Sequence, residues 1–255
     1  ARYEDAGASR SVAATRRDLR SARPPSHRLR PFDPRPLSQS YADKVFAQVR
    51  AQFVEANFSK FEQAPRGATI EDGALVFFAQ ALRTPKLYPD FVSAEDMIQS
   101  AILEKGDRAL YIKPHPNQSA EDRAVLEGYA DPAKRVFITD ASVHDLCAAA
   151  SVVLTLTSAC GFEAFLHETP VILGGQTDFW QNAVTLTRPD RLEDALEVAR
   201  ATEWPHAKFV MWYLKHNCID ESPGSYARVK ARLARKGFAI GEDPGFFAGT
   251  TGPTI

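Results

Sequence analysis

Hydrophobic and polar residues form alternating blocks between residues 75 and 173, and this pattern predicts strands and helices in turn. Five short apolar runs, at 75–79, 109–112, 135–139, 152–156 and 171–173, predict strands. Three segments with helical spacing, at 93–105, 120–129 and 142–150, separate them. Continuous apolar strands that alternate with helices are typical of a parallel sheet covered on both faces. We therefore predict an α/β fold with one doubly wound parallel sheet and right-handed crossovers.

The segments on either side of the predicted sheet have a helical pattern. Residues 38–60 predict one amphipathic helix, with Ser38 or Ser40 as its cap and Phe58 as the last member of its apolar stripe. After Trp180 we expect no further strand and three helices, at 191–201, 205–216 and 225–236, before an irregular tail. The chain is thus predicted to divide into a connector with a linker helix (1–65), a sheet domain (66–190) and C-terminal helices with a tail (191–255).

Polar side chains follow two of the predicted strands. Lys113 and His115 come after the second strand, and Pro114 and Pro116 hold the imidazole in a rigid loop. Thr157 and Ser158 follow the fourth strand, at the start of a predicted helix. The carboxyl ends of parallel strands meet at one edge of a sheet, and the free N–H groups of a helix start favour phosphate. These residues therefore predict a site for an anionic ligand. The alternative is a structural role, in which the hydroxyls cap the helix and the histidine bonds the backbone.

Two residues in the predicted helix after Ser158 are further candidates. Gly161 would let the backbone come close to a ligand or to a neighbouring element. Glu163 lies among apolar residues, where a carboxylate needs a partner. Ribose hydroxyls would be suitable partners for Glu163, and the alternative interpretation is a solvated helix carboxylate.

Two Glu-Asp pairs could supply a general base. Glu4 and Asp5 open the chain, and Glu71 and Asp72 precede the first strand. We interpret Glu71-Asp72-Gly73 as a turn before that strand. Four further histidines, at positions 144, 167, 206 and 216, lie on predicted helices without an evident functional grouping.

The overall composition is that of a soluble globular protein. Apolar residues make up 44% of the chain, charged residues 25%, and the net charge of −1 gives no reason to expect nucleic acid as a partner. The three cysteines lack metal-binding spacing and are expected to be buried thiols in a reducing compartment. No apolar run is long enough to span a membrane, and no signal peptide or glycine-rich nucleotide fingerprint occurs. We predict a cytoplasmic protein without a metal.

Residues 1–36 differ from the rest of the chain because nine arginines stand against four acidic residues. The segment predicts a connector that wraps a neighbouring domain. The alternative is a basic surface that faces an acidic acceptor or an anionic membrane, which would imply peripheral association with the inner membrane.

The motifs at 113–116 (KPHP) and 157–164 (TSACGFEA), with the strand at 170–174 (PVILG), resemble a known family. They are similar to those of the bacterial capsule polysaccharide biosynthesis glycosyltransferases, which include transferases of 3-deoxy-D-manno-octulosonic acid (Kdo). Residues 57–61 resemble the end of the family's linker helix, and the strand that ends at Gln80 resembles its strand ending in PGQ or PLQ. Residues 4–11 resemble its EDGFLRS motif.

The resemblance implies a GT-B fold, in which the active site lies between two Rossmann-like domains. Residues 66–190 would be the nucleotide-sugar-binding part of the second domain, and residues 1–65 a remnant of the first. It further implies a metal-independent glycosyltransferase without a cofactor, which transfers a sugar from a CMP-linked donor to a glycan or lipid-linked acceptor. The candidate donor-binding residues are Gln80, Lys113, His115, Thr157, Ser158, Gly161 and Glu163, and the candidate catalytic residues are His115, Glu4 and Asp5.

The chain departs from the family after Gln80, where no acidic residue occurs before Asp90. The Kdo transferases have catalytic acids at this point. The departure favours one alternative function, a non-catalytic module that binds nucleotide or glycan. A second alternative is a GT-B-like nucleotide-sugar epimerase, which would need a different set of carboxylates.

Overall fold

A computed structural model describes residues 31–80, 91–219, 224–235 and 237–238. Its centre is a six-stranded parallel sheet in the order β3-β2-β1-β4-β5-β6. The strands are β1 (Ala74–Phe78), β2 (Leu110–Lys113), β3 (Val136–Ile138), β4 (Ala150–Thr155), β5 (Val171–Leu173) and β6 (Val184–Thr185). The predicted doubly wound α/β fold and its five strands are confirmed.

The described part of the chain contains eight α-helices. They are α1 (Gln39–Arg50), α2 (Ala94–Glu104), α3 (Ala120–Glu127), α4 (Val143–Ala149), α5 (Cys160–Phe165), α6 (Leu192–Ala201), α7 (His206–Trp212) and α8 (Ser225–Ala234). Serine caps the N-terminus of three of these helices, as the sequence predicted. Ser38, Ser93 and Ser142 each accept a hydrogen bond from a backbone N–H of the first turn. None of these helices is long and apolar enough to cross a membrane.

The apolar strands are continuous because helices cover both faces of the sheet. Side chains of β1 alternate between two cores: Leu75 and Phe77 pack with α2 and α6, whereas Val76 and Phe78 pack with α1, α4, α5 and α7. All five residues of β1 are buried. A strand without a solvent-exposed face needs no polar residues in alternation with apolar ones. The continuous apolar run in the sequence of β1 has this property.

The strand order reverses at the centre of the sheet. β1 pairs with β2 on one side and with β4 on the other, and Phe78 is in register with both Lys113 and Thr155. The chain therefore leaves the sheet after β1, β2 and β4 at neighbouring points on its carboxyl edge. In doubly wound sheets this switch point is the place where ligands bind.

The prediction of one helix over residues 38–60 is confirmed as helical up to Glu55 and is wrong only beyond that residue. After α1 the chain continues as a π-helix, Ala51–Glu55, and then stops. Asn57 has a left-handed conformation with φ of 52°. Phe58 N–H bonds the Phe53 carbonyl at 2.8 Å and Asn57 N–H bonds the Val54 carbonyl at 3.2 Å, which is the Schellman pattern of a helix end. Phe58 consequently lies outside the helix and is 57% exposed.

The C-terminal region also differs from the prediction. A sixth strand follows Trp180, because Val184 and Thr185 pair with β5. The segment predicted as one helix at 205–216 divides into α7 and a π-helix, Tyr213–Asn217. α7 packs against α1, so these two helices share one core with the sheet. The division into three segments stays a prediction.

Two smaller sequence expectations can be compared with the structure. Gly73 forms the predicted turn before β1, with φ of 78°, and Glu71 pairs with Arg135. The cysteines were expected to be buried, which holds for Cys147 but not for Cys218, which is exposed.

Candidate functional site

A cavity of about 260 Å³ opens at the carboxyl edge of the sheet, where β1, β2 and β4 end. Its lining brings together six of the seven candidate donor-binding residues, which are Gln80, Lys113, His115, Thr157, Ser158 and Glu163. The seventh, Gly161, does not line it. The candidate catalytic residues Glu4 and Asp5 lie outside the described residues.

The three loops that form the floor of the cavity are joined by two glutamines. Gln80, after β1, accepts hydrogen bonds at Oε1 from the Thr157 backbone N–H (2.8 Å) and hydroxyl (2.9 Å). Gln118 accepts a bond from the His115 N–H (2.9 Å) and donates one to the Gln80 carbonyl (3.3 Å). The ends of β1, β2 and β4 are thus held together without a ligand. Both Thr157 groups that were expected to face phosphate donate to Gln80 here.

His115 lines the cavity and has one hydrogen-bond donor in its neutral ring. Its Nδ1 accepts a bond from the Asn117 N–H at 3.1 Å, so the proton of the neutral ring is on Nε2. The ring of Phe61 packs against it edge to face, with centroids 5.0 Å apart. Burial lowers the pKa of His115, and the nearby charge of Lys60 lowers it further. The imidazole is therefore neutral at neutral pH.

Lys113 lines the same cavity, but its ammonium group is already bound by the protein. Nζ donates to the backbone carbonyls of Asp140 (3.0 Å) and Ala141 (2.7 Å), and the residue is only 9% exposed. Burial lowers the pKa of the amine. These bonds tie the end of β2 to the loop after β3. A donor-binding role for Lys113 stays a prediction.

Thr155 and Ser158 shape the turn between β4 and α5. The Thr155 hydroxyl donates to the Phe78 carbonyl at 3.0 Å and accepts a bond from the Ser158 N–H at 3.3 Å. The Ser158 hydroxyl accepts a bond from the Cys160 N–H at 3.2 Å. Ser158 therefore stabilises the first turn of α5, as the capping alternative predicted, and it also lies on the cavity.

Glu163 is a buried carboxylic acid on the cavity wall. It is 7% exposed, and its Oε1 accepts a bond from the Ser59 hydroxyl at 2.8 Å. Its Oε2 has no hydrogen-bond partner among the described residues. Burial raises the pKa of Glu163 to about 7, and the Ser59 bond opposes this effect. The side chain can thus both donate and accept hydrogen bonds near neutral pH.

Gly161 has a packing reason to be glycine. A Cβ atom there would lie 3.2 Å from Phe179 Cε2 and 3.2 Å from Thr155 Cγ2. The close approach is to neighbouring elements, which was one of the two predicted explanations. Its donor-binding role stays a prediction.

One wall of the cavity is formed by residues that the sequence analysis did not predict to be part of the site. Residues 57–63, which we call the strap, contribute Ser59, Lys60, Phe61 and Gln63 to the lining. Strap groups bond the start of α4: the Phe58 carbonyl meets His144 Nε2 (2.9 Å), and Gln63 Oε1 accepts from the Val143 N–H (3.0 Å). Helical spacing assigned part of this segment to the linker helix. The resemblance at 57–61 was the signal that it belongs near the site.

Two histidines that showed no grouping in the sequence form a buried pair behind the strap. His144 Nδ1 and His167 Nε2 are 3.0 Å apart. His144 Nε2 faces the Phe58 carbonyl, so it carries the proton, and His167 must donate to His144 Nδ1. Burial lowers the pKa of His167 to about 3 and also lowers that of His144. His167 lies in a turn after α5 and not on a helix.

In the part of the chain that the structure describes, no three His, Cys, Asp or Glu side chains are grouped so that they could hold a metal ion.

Comparison with protein families identifies the class to which this fold and cavity belong. The family described as "Capsule polysaccharide biosynthesis protein" matches residues 87–215, half of the chain. The chain belongs to this family, as the resemblance predicted. The match includes β2 to β6 and the loops after β2 and β4. No curated protein sequence matches the chain significantly.

Solved structures similar to this chain include two transferases and an epimerase. Thermosulfurimonas dismutans KpsC, a beta Kdo 2,4 transferase, has 19% sequence identity and a TM-score of 0.41, over 64% of this chain and 56% of its own. The KpsC beta Kdo 2,7 transferase has 18% identity and a TM-score of 0.41, over 65% and 54%. Methanocaldococcus jannaschii UDP-GlcNAc 2-epimerase has 13% identity and a TM-score of 0.39, over 89% and 53%. The chain spans little more than half the length of these proteins.

Proposed function

We propose that the chain is the donor-binding half of a GT-B glycosyltransferase of capsule or surface polysaccharide synthesis. It would bind a CMP-linked sugar, with Kdo or a related acidic sugar as the expected group, and the acceptor would be a glycan or a lipid-linked glycan. The observation that carries this proposal is the cavity at the switch point of the sheet, lined by His115, Ser158 and Glu163. Membership of the capsule polysaccharide family supports it.

The residues of the cavity suit a nucleotide that carries a phosphate. In the transfer, the bond between the anomeric carbon of the sugar and a phosphate oxygen breaks, and an acceptor hydroxyl oxygen bonds that carbon. The departing phosphate gains negative charge, which His115 Nε2–H can stabilise by a hydrogen bond. Glu163 Oε2 is buried and has no hydrogen-bond partner among the described residues, so a ribose hydroxyl that reached it would supply one. No metal is required for this chemistry.

The acceptor hydroxyl must lose its proton to a base, and Glu4 and Asp5 stay the candidates for that step by resemblance. The described lining of the cavity contains one carboxylate, Glu163, on the wall proposed for the nucleotide. This observation favours a second candidate function, a module that binds the nucleotide without transfer. In either case we expect a cytoplasmic protein, and peripheral association with the inner membrane stays the alternative interpretation of residues 1–36.

A nucleotide panel tests the proposal. CMP, UDP, GDP and ADP are added to the chain at concentrations well above the expected dissociation constants, and thermal unfolding is recorded. Selective binding of CMP should stabilise the fold by about 2–4 kcal/mol. A shift with UDP or GDP alone would replace the donor, and no shift with any nucleotide would contradict the proposal.

His115→Ala tests the site itself. We expect weaker nucleotide binding and an intact fold, because a loop imidazole contributes little to the core. His216→Ala is the matched control, since His216 is exposed and far along the chain. Unchanged affinity in a folded His115→Ala variant would contradict the assigned site. Sugar transfer from the CMP donor, or its absence, then separates the enzyme from the binding module.

A further inference from the structure

We propose that Lys60, on the strap, is the cation that binds the donor phosphate together with His115, in place of Lys113. This inference rests on the proposed function and names a binding residue for it. The sequence motif at 113–116 predicts Lys113 for this role because it lies beside the histidine. The contacts of the two lysines distinguish them.

Lys113 is held away from a ligand by its own bonds. Two of its three N–H donors reach the carbonyls of Asp140 and Ala141, and the residue is 9% exposed. Turning the ammonium toward a ligand would leave two carbonyls without their donor. A buried carbonyl without a hydrogen-bond donor is unfavourable, so this rearrangement is opposed. Lys113 therefore has a structural role.

Lys60 lies on the same cavity with its charge available. It is exposed, and it makes no ion pair with a carboxylate among the described residues. Its Nζ lies 5.3 Å from the centroid of the Phe61 ring, and that ring packs edge to face on His115. Lys60 and His115 thus lie on the same aromatic ring, and the charge of Lys60 adds to the effect of burial in lowering the pKa of His115.

The strap fixes the backbone on the N-terminal side of Lys60. The Phe58 carbonyl is bound to His144, and the Ser59 hydroxyl is bound to Glu163. Both bonds are to residues of the sheet domain, and Ser59 is only 7% exposed. Only the lysine side chain remains free to adjust. Binding of a ligand by Lys60 therefore requires little loss of backbone entropy, which favours tight binding.

The chemistry of the pair fits a phosphate group. Lys60 offers a flexible ammonium with three donors, and His115 offers one N–H of fixed direction. Neither group has a carboxylate partner to displace among the described residues. Since an anion between them would offset the positive charge of Lys60, nucleotide binding should raise the pKa of His115.

The test compares CMP with cytidine, because the difference between their affinities isolates the phosphate. Affinities are measured by calorimetry on the full chain and on Lys60→Gln. We expect CMP to bind Lys60→Gln about tenfold more weakly, which corresponds to about 1.4 kcal/mol, because a charge-assisted hydrogen bond to the phosphate is lost. Cytidine should bind equally to both proteins. Lys44→Gln, an exposed lysine of α1, is the matched control and should change neither affinity.

A second measurement reports the position of Lys60 without a ligand. The pKa of His115, followed by NMR, should be higher in Lys60→Gln than in the wild type because a neighbouring positive charge is removed. Lys113→Met, in turn, should lower the free energy of unfolding but keep the wild-type ratio of CMP to cytidine affinity.

The outcomes separate this inference from the proposed function. If the wild type binds CMP and Lys60→Gln keeps the same ratio of CMP to cytidine affinity, the role of Lys60 is refuted and the proposed function stands. If the ratio falls in Lys113→Met instead, the phosphate cation is Lys113. If the wild type binds no nucleotide of the panel, the proposed function fails and the inference fails with it.

Discussion

The buried carboxyl group of Glu163 should make the stability of the fold depend on pH. Burial raises its pKa from an ordinary 4.5 to about 7 in the folded protein. The folded state therefore binds a proton that the unfolded state releases between these values. Because the folded state binds more protons at Glu163, the contribution of this group to the free energy of unfolding falls as pH rises through this window and is lowest above pH 7. At about 1.4 kcal/mol per pH unit, the full loss is about 3 kcal/mol.

Glu163→Gln removes this dependence while it keeps the shape of the protonated acid. The amide oxygen can still accept the Ser59 bond, and the amide nitrogen replaces Oε2, which has no partner among the described residues. We expect the variant to gain stability over the wild type with rising pH, by about 2–3 kcal/mol more at pH 8 than at pH 5.

Urea unfolding of both proteins at pH 5, 6, 7 and 8 measures this difference. Glu62→Gln, an exposed carboxylate of the same strap, is the control and should shift stability by less than about 0.5 kcal/mol. If the difference between Glu163→Gln and the wild type is the same at pH 5 and pH 8, the carboxylate is not destabilised by burial. The reasoning from the cavity to a neutral acid would then be wrong.

Three further variants test the packing at two glycines and the buried state of His167. Gly174→Ala should lower the free energy of unfolding in urea by about 1–3 kcal/mol, because the new Cβ would lie 2.6 Å from Val92 Cγ2. Gly161→Ala, whose nearest contacts would be at 3.2 Å, should lower it by less. An equal or smaller effect of Gly174→Ala would contradict this reasoning from packing. The pKa of His167 is about 3 in the folded protein, so below pH 6.5 the unfolded state binds a proton that the folded state does not, and stability falls as the pH is lowered. In His167→Asn this fall between pH 6.5 and pH 5 should be less steep, by up to about 1 kcal/mol per pH unit. Parallel curves of unfolding free energy against pH for variant and wild type would argue against a buried neutral pair.

The sheet could be predicted from the sequence because its strands are buried on both faces. Each strand is then a short apolar run, and the helices between them have their own spacing and serine caps. The failures occur where local pattern carries little information. β6 has two residues, too few for a periodic signal, and it is defined by its pairing with β5. The end of the helical segment after Glu55 depends on the left-handed conformation of Asn57, which apolar spacing does not indicate.

The position of the site could be predicted, but the contacts within it could not. Residues at the ends of parallel strands converge by topology, so His115 and Ser158 were expected to meet. The bonds of Lys113 to the carbonyls after β3, and the bond of Ser59 to Glu163, join residues 27 to 104 positions apart. Such contacts depend on tertiary packing, and a motif shows only that a lysine stands near a histidine in the chain.

The strap runs from the end of α1 into the cavity, and this has a consequence for communication across the molecule. α1 lies against α7, while the strap that follows it is bonded to α4 and carries Lys60 to the cavity wall. Any partner that rotates α1 would displace that wall and change nucleotide affinity. Such coupling is reciprocal, so a bound nucleotide would change the affinity for that partner by the same factor.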